Sequence, residues 1–247
     1  MSEPHWRTHR LELSDQTLRE WDAAVLAAGP DGIVLDRSAF YPGGGGQPPD
    51  HGVLLWGGVQ TRIVGARKGD DLYLIPADGD PVPPLGTAVR GALEDGRRAA
   101  LMRTHSALHV LGGVVFRDFG ALVTGGNMEP LTARMDFNLT EVPPGFRDTV
   151  QAACNAELTA DRRIDVRVLP RDEAFAIPDI IRTATNLVPP DVRDVRIIDI
   201  VGLDQQADGG THDASTRQVG GIEVVKVENK GKGFRRVRIQ VTGQPPG

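Results

Sequence analysis

Over roughly the first 95 residues, apolar and polar positions alternate in short runs set between glycine- and proline-rich turns. A period of two in short runs predicts strands. Residues 32–36, 52–56, 59–66, 72–75 and 86–93 fit it, and Gly57-Gly58 and Gly69-Asp70-Asp71 supply turns between them. Residues 22–28 are helix-forming by composition, but their short β neighbours favour a strand. Residues 81–84 are read as a loop. A small β-barrel lets such strands avoid open edges.

From Asp95 the pattern changes. A helix is predicted over 95–119 with Asp95 at its start, and a second over 146–162. Strands are expected at 133–139, 164–169 and 195–201, with a short helix at 171–176 stopped by Pro178. Residues 221–227 and 234–241 read as a hairpin around Asn229-Lys-Gly-Lys-Gly233. The expected fold class is therefore α+β: a small N-terminal β-barrel over 1–94, then an α+β domain with an antiparallel sheet over 95–247.

With 40% hydrophobic residues, the 247-residue chain can build its cores without staples. Its one cysteine, Cys154, excludes an internal disulfide framework and fits a reducing cytoplasm, the expected location. Cys154 sits mid-helix and is expected to be a small buried hydrophobe. Residues 1–10 are polar, unlike a signal peptide, and no run approaches a membrane span. Residues 244–247 read as a frayed tail. A net charge of -5 argues weakly against a nucleic-acid partner, yet its distribution is uneven. From Ser215 onward seven basic residues face only Glu223 and Glu228. Such a local basic face suits a phosphate backbone, and suits equally a merely solvated hairpin.

The candidate chemistry lies in the histidines. Arg103-Thr-His-Ser-Ala-Leu-His109 places His105 and His109 four residues apart on one helix face, where two imidazoles can share a metal. Spacing alone is weak evidence, because His5 and His9 repeat it in a terminus where no site is expected. Leu101, Leu108, Leu111 and Val115 form the core stripe of this helix, which puts His105 and His109 at its rim, partly buried. A third histidine ends Asp208-Gly-Gly-Thr-His212, a loop whose glycines allow close backbone approach. Three histidines and an aspartate are ligand types that zinc or a related metal accepts. On spacing alone, a tight turn capped by Asp208 accounts for the loop at least as well.

Three separated stretches together resemble the AlaX proteins, free-standing relatives of the alanyl-tRNA synthetase editing domain. They are Phe40-Tyr-Pro-Gly-Gly-Gly-Gly-Gln47 with Asp50 and Gly52, then His105-Ser-Ala-Leu-His109, then Gly209-Gly-Thr-His212 through Thr216, Val219 and Gly220 to Glu228-Asn-Lys-Gly-Lys-Gly233. Arg134-Met-Asp-Phe137, Ile177-Pro178 and Ile181-Arg182 add to the likeness, which spans nearly the whole chain. The resemblance implies an N-terminal barrel similar to a translation-factor domain and a C-terminal editing domain. It implies one zinc ion per chain held between His105, His109 and the loop ending in His212, where Asp208 either ligates the metal through oxygen or lies off it and orients a water. It implies hydrolysis, in trans, of the ester joining serine or glycine to tRNA specific for alanine. One position departs from the family pattern: Asp208 stands where that pattern has cysteine.

Thr104, Ser106 and Thr211 sit beside the histidines; Thr104 and Thr211 are the catalytic candidates for orienting water or sensing a seryl hydroxyl, and a purely structural role for these hydroxyls is the commoner alternative. The run Gly43, Gly44, Gly45, Gly46 with Gln47 lacks the Lys-Ser/Thr of a phosphate loop, so nucleotide hydrolysis is not expected. By resemblance it lies in the barrel and faces the editing site. Lys230, Lys232, Arg235 and Arg236 of the basic hairpin are the candidates for contacting tRNA phosphates. Two rival readings stay open at this point: a metal-stabilised RNA-binding module without turnover, and a hydrolase of another aminoacyl-tRNA ester.

Overall fold

A computed structural model describes residues 7–186 and 188–244, so His5, Leu187 and residues 245–247 of the expected tail lie outside the described residues. By their contacts the residues fall into two compact units, 1–44 with 48–99, and 45–47 with 100–247.

In the first unit, a two-residue strand β1 (His9–Arg10) pairs in parallel with β4 (Arg37–Ser38). Six further strands are β2 (Glu20–Gly29), β3 (Gly32–Leu35), β5 (Gly52–Trp56), β6 (Val59–Lys68), β7 (Leu72–Pro76) and β8 (Ala88–Leu93). They close in the order β2-β3-β7-β6-β5-β8 with antiparallel pairing throughout. The stretch with helix-forming composition is thus a strand. Its alternation explains why: Trp21, Ala23 and Val25 point inward to Ile33, Leu54, Ile63, Leu74 and Val89, and a helix would scatter them. Gly52 is required by close approach, because a Cβ there would lie 2.2 Å from the Ala92 carbonyl oxygen.

A buried ion pair secures this unit. Arg98, fully buried, donates from Nε to both carboxylate oxygens of Asp50 at 3.1 Å, and its Nη2 also reaches Asp50. The same guanidinium donates to the carbonyls of Ala39 (2.6 Å) and Gln16 (3.1 Å), while Asp50 accepts the Tyr41 amide at 2.7 Å. Both ends of the loop carrying the glycine run are tied to one arginine.

The second unit holds most of α1 (Asp95–Phe119), then β9 (Val123–Glu129), β10 (Thr132–Phe137), α2 (Phe146–Thr159), β11 (Ile164–Pro170), α3 (Arg171–Phe175), β12 (Asp194–Ile200), β13 (Asp204–Ala207), β14 (Gly221–Asn229) and β15 (Arg235–Thr242). One antiparallel sheet runs β14-β15-β10-β9 and another β11-β12-β13. Leu101, Leu108, Leu111 and Val115 of α1 share one core with Met135 and Phe137 of β10, Val150 and Cys154 of α2, and Val237 and Ile239 of β15. Burial pushes the Cys154 thiol up to about 12, so it behaves as an inert hydrophobe. Strands β9 and β13 escape the sequence pattern. Val123-Thr-Gly-Gly-Asn-Met-Glu129 carries two glycines, and Asp204-Gln-Gln-Ala207 is nearly all polar. Both become strands through pairing with stronger neighbours, which overrides propensity. Among the described residues, no helix is long and apolar enough to cross a membrane.

Candidate metal centre

The second unit brings His105 and His109 of α1 together with Asp208 and His212 of the loop after β13. One potential ligand atom from each lies within 4.8 Å of all the others. The imidazole centroids are 5.2 Å apart for His105 and His109, 4.2 Å for His105 and His212, and 4.8 Å for His109 and His212. Asp208 presents Oδ2 at 3.6 Å from His105 Nε2 and Oδ1 at 3.8 Å from His212 Nε2. A tetrahedral zinc with bonds of about 2.0–2.2 Å separates its ligand atoms by roughly 3.4 Å, so small movements would close this set on one ion. His105 and His109 are buried more fully than the partly buried rim position that their place on the helix predicts, and His212 of the loop is buried beside them. The loop from β13 covers them, and no helical periodicity reports a distant loop.

That loop approaches so closely because of glycine. A Cβ on Gly210 would meet His105 at 2.3 Å and Gln47 Oε1 at 2.8 Å, well inside van der Waals contact. Arg196 of β12 holds the loop by donating to the carbonyls of Asp208 and Gly210, both at 2.9 Å. The Gly210 amide donates to Asp208 Oδ1 at 2.6 Å, and the Asp213 amide donates to Ser106 Oγ on α1 at 3.0 Å.

The electrostatics favour neutral His105 and His212 beside an ionised Asp208, and act the other way on His109. Burial lowers His105 to about 4, outweighing the attraction of Asp208. Burial, followed by repulsion from His105 and His109, pushes His212 well below its ordinary value. Burial also works against a charged His109, but its bond to Asp204 and the charge of Asp208 raise it overall. Burial opposes ionisation of Asp208, yet His105, His109 and the Gly210 amide hold its carboxyl below the usual range. Neutral nitrogen and anionic oxygen are the forms in which these groups bind a cation.

Two residues hold imidazoles of the site: Asp204, which the sequence did not single out, and Gln47, which it singled out only as the end of the glycine run. Asp204 Oδ2 lies 3.1 Å from His109 Nδ1, and the same carboxylate accepts from Gln206 Nε2 (2.7 Å) and Arg182 Nε (3.3 Å). A carboxylate can only accept, so Nδ1 carries a proton, and in the neutral ring the lone pair lies on Nε2, the other nitrogen. The second is Gln47. The Gly45-Gly46-Gln47 segment, expected in the barrel domain, belongs to the second unit instead. The Gly46 carbonyl accepts the Met128 amide at 3.1 Å, and Gly46, at φ +90°, could not carry a Cβ easily because Gly126 oxygen would lie 3.1 Å away. Gln47 is thereby buried against His105 and Thr211. A Cβ on Gly45 would sit 3.7 Å from Asp208 Oδ2, so this segment flanks the cluster. Gly43 and Gly44 stay with the first unit.

Thr211 is buried and its Oγ1 accepts from Gln47 Nε2 at 2.9 Å. Thr104 is taken up by the fold: its hydroxyl donates to the Ala100 carbonyl (2.7 Å) and accepts the Leu131 amide (2.9 Å). Its place beside His105 in sequence therefore does not translate into a hydroxyl turned to the cluster. In the hairpin, Lys230 and Lys232 are exposed. Arg236 instead makes a two-pronged contact with Asp136, both bonds at 2.7 Å, and Arg235 donates to the Thr140 and Phe234 carbonyls at 3.0 and 2.9 Å. Half of the expected phosphate-contacting set is engaged within the fold.

Comparisons with known proteins agree on one neighbourhood. Residues 195–238 match the model of the Threonyl and Alanyl tRNA synthetase second additional domain. The chain is 36% identical over 237 residues to an alanyl-tRNA editing protein, AlaX-M, of Saccharolobus solfataricus, covering 93% of this chain and 97% of that protein. It is 34% identical over 238 residues to the AlaX-M protein of Methanosarcina acetivorans, with the same coverage. An alanine–tRNA ligase of Pyrobaculum neutrophilum is 33% identical over 239 residues, which are 93% of this chain but 26% of the ligase.

Proposed function

Because the chain belongs to the AlaX-M family of alanyl-tRNA editing proteins, we propose that it is a zinc-dependent deacylase that clears mischarged tRNA specific for alanine, carrying serine, glycine or both. The observation that supports this most directly is the convergence of His105, His109, His212 and Asp208, four buried or half-buried ligand types around one point. They are the proposed ligands of one zinc per chain. When bound, zinc supplies electrostatic polarisation of an ester carbonyl or of a water.

The reaction adds water to the ester carbonyl. The ribose oxygen leaves and takes up a proton, giving free amino acid and a tRNA with a free terminal hydroxyl. His105 and His109 enter it with Nδ1 turned away from the cluster and Nε2 toward it. Thr211 accepts from Gln47, so its own hydroxyl proton points elsewhere and is the group proposed to orient water or a seryl side chain. Thr104 has no part in this chemistry, its hydroxyl being committed to Ala100 and Leu131. Lys230 and Lys232 are the proposed phosphate contacts, acting as exposed point charges on a mobile stem. The protein is proposed to act in the cytoplasm.

The experiment is a deacylation assay. Seryl- and glycyl-tRNA for alanine are incubated with zinc-loaded protein at low salt, and the remaining ester is followed. Ester loss beyond the uncatalysed rate is expected for at least one of them. An intact ester in both would leave an RNA-binding module, and loss only from other mischarged tRNAs would redirect the specificity.

Asp208 allows a separate test of the ligand set. Its Oδ1 is fixed by the Gly210 amide while Oδ2 faces His105. Asp208→Cys replaces a hard oxygen by a soft thiolate and is expected to retain zinc longer against a chelator. Equal retention would place Asp208 off the metal.

A further inference from the structure

The Gln47 carboxamide makes three contacts, and together they fix which of its ends is which. Oε1 lies 3.0 Å from the Thr211 backbone nitrogen and 3.0 Å from His105 Nδ1, and Nε2 lies 2.9 Å from Thr211 Oγ1. A backbone N–H can only donate, so the atom facing Thr211 N must be the carbonyl oxygen. The same oxygen faces His105 Nδ1, and a carbonyl oxygen can only accept. His105 Nδ1 therefore carries the proton, and the lone pair sits on Nε2, the atom that faces Asp208 at 3.6 Å. Gln47 thus does for His105 what Asp204 does for His109, and in the same motion grips the loop that supplies Asp208 and His212. Gly210 leaves the space for both side chains, since a Cβ there would lie 2.3 Å from His105 and 2.8 Å from Gln47 Oε1.

We propose that Gln47 is a positioning residue, which holds His105 in its Nδ1–H form and clamps the Thr211 backbone, so that Nε2 is presented to the metal. The proposal rests on the reading of the histidine cluster as a metal centre. It also gives the glycine run a purpose. Gly45 (φ +59°) and Gly46 (φ +90°) adopt backbone conformations that side-chain-bearing residues rarely take, and these deliver Gln47 against His105.

Two variants separate positioning from filling space. Gln47→Met keeps the volume and length but offers no acceptor to Nδ1 or to the Thr211 amide. Gln47→Glu keeps an acceptor for both, and the Thr211 hydroxyl can turn to donate to it. Two readouts are needed, neither of them activity. One is zinc affinity by competition with a chromogenic chelator. The other is the tautomer of His105 in the metal-free protein, from its imidazole nitrogen chemical shifts. Gln47→Met is expected to weaken zinc binding by about 10- to 100-fold and to abolish the preference for the Nδ1–H form. Gln47→Glu is expected to restore both toward wild type. Wild-type affinity and tautomer in Gln47→Met, or equal loss in both variants, would overturn the proposal. The two readings fail separately. A wild-type protein that leaves both esters intact, while Gln47→Met shifts tautomer and affinity, loses the deacylase function and keeps the positioning role. An active wild type with unchanged readouts in Gln47→Met does the reverse.

Discussion

The double variant His105→Ala, His109→Ala is expected to fall from one zinc per chain to none and to lose deacylation by at least about a thousandfold, since electrostatic polarisation by a metal contributes several kcal/mol and each 1.36 kcal/mol is tenfold. The fold holds both rings tightly. Each is buried, each has its Nδ1 held by a dedicated partner, and each turns Nε2 to the cluster. Removing both leaves Asp208 and His212, a pair 3.8 Å apart with too few donors to hold zinc against water. Alanine keeps the helix intact by propensity, so α1 should persist. Its circular dichroism alongside the metal content separates a lost site from a lost fold. Equal metal content in variant and wild type would mean that the ligands are wrong.

The sequence carried the elements of this site unevenly, and the differences have physical causes. Periodicity placed α1 and most of its strands well, because long amphipathic segments report their own burial. The histidine pair was legible because four-residue spacing is a helix property. His212 and Asp208 were legible only through the glycines between them and through likeness to a family. What escaped depends on distant partners: Asp204 altogether, and, for Gln47, not the residue but its contact with His105. Asp204 and Gln47 are separated from the imidazoles they hold by 95 and 58 residues, and no local pattern encodes such pairs. The glycine run read as a barrel loop because its neighbours on both sides are barrel residues, yet three of its residues pack with the second unit. In the hairpin, charge density suited a binding face and a solvated hairpin equally, and it could not report the cross-strand contact that ties Arg236 to Asp136.

Arg98→Met is expected to destabilise the first unit by about 3–5 kcal/mol, because it strands the Asp50 carboxylate in the interior with the Tyr41 amide as its remaining donor. For a chain of this size that corresponds to a fall in melting temperature of roughly 10 °C or more. The size of the effect comes from the imbalance it leaves, not from the strength of the pair. A buried carboxylate without its cation keeps its desolvation cost and loses the attraction that offset it. Removing the carboxylate's charge as well should therefore recover much of the loss. Arg98→Met combined with Asp50→Asn removes both charges while the asparagine oxygen still accepts the Tyr41 amide. This double variant is expected to be more stable than Arg98→Met alone, so the two substitutions should be strongly non-additive. Urea unfolding of the four proteins in the cycle gives the coupling directly. Additive losses would mean that Arg98 stabilises the unit through its bonds to the Ala39 and Gln16 carbonyls rather than through Asp50.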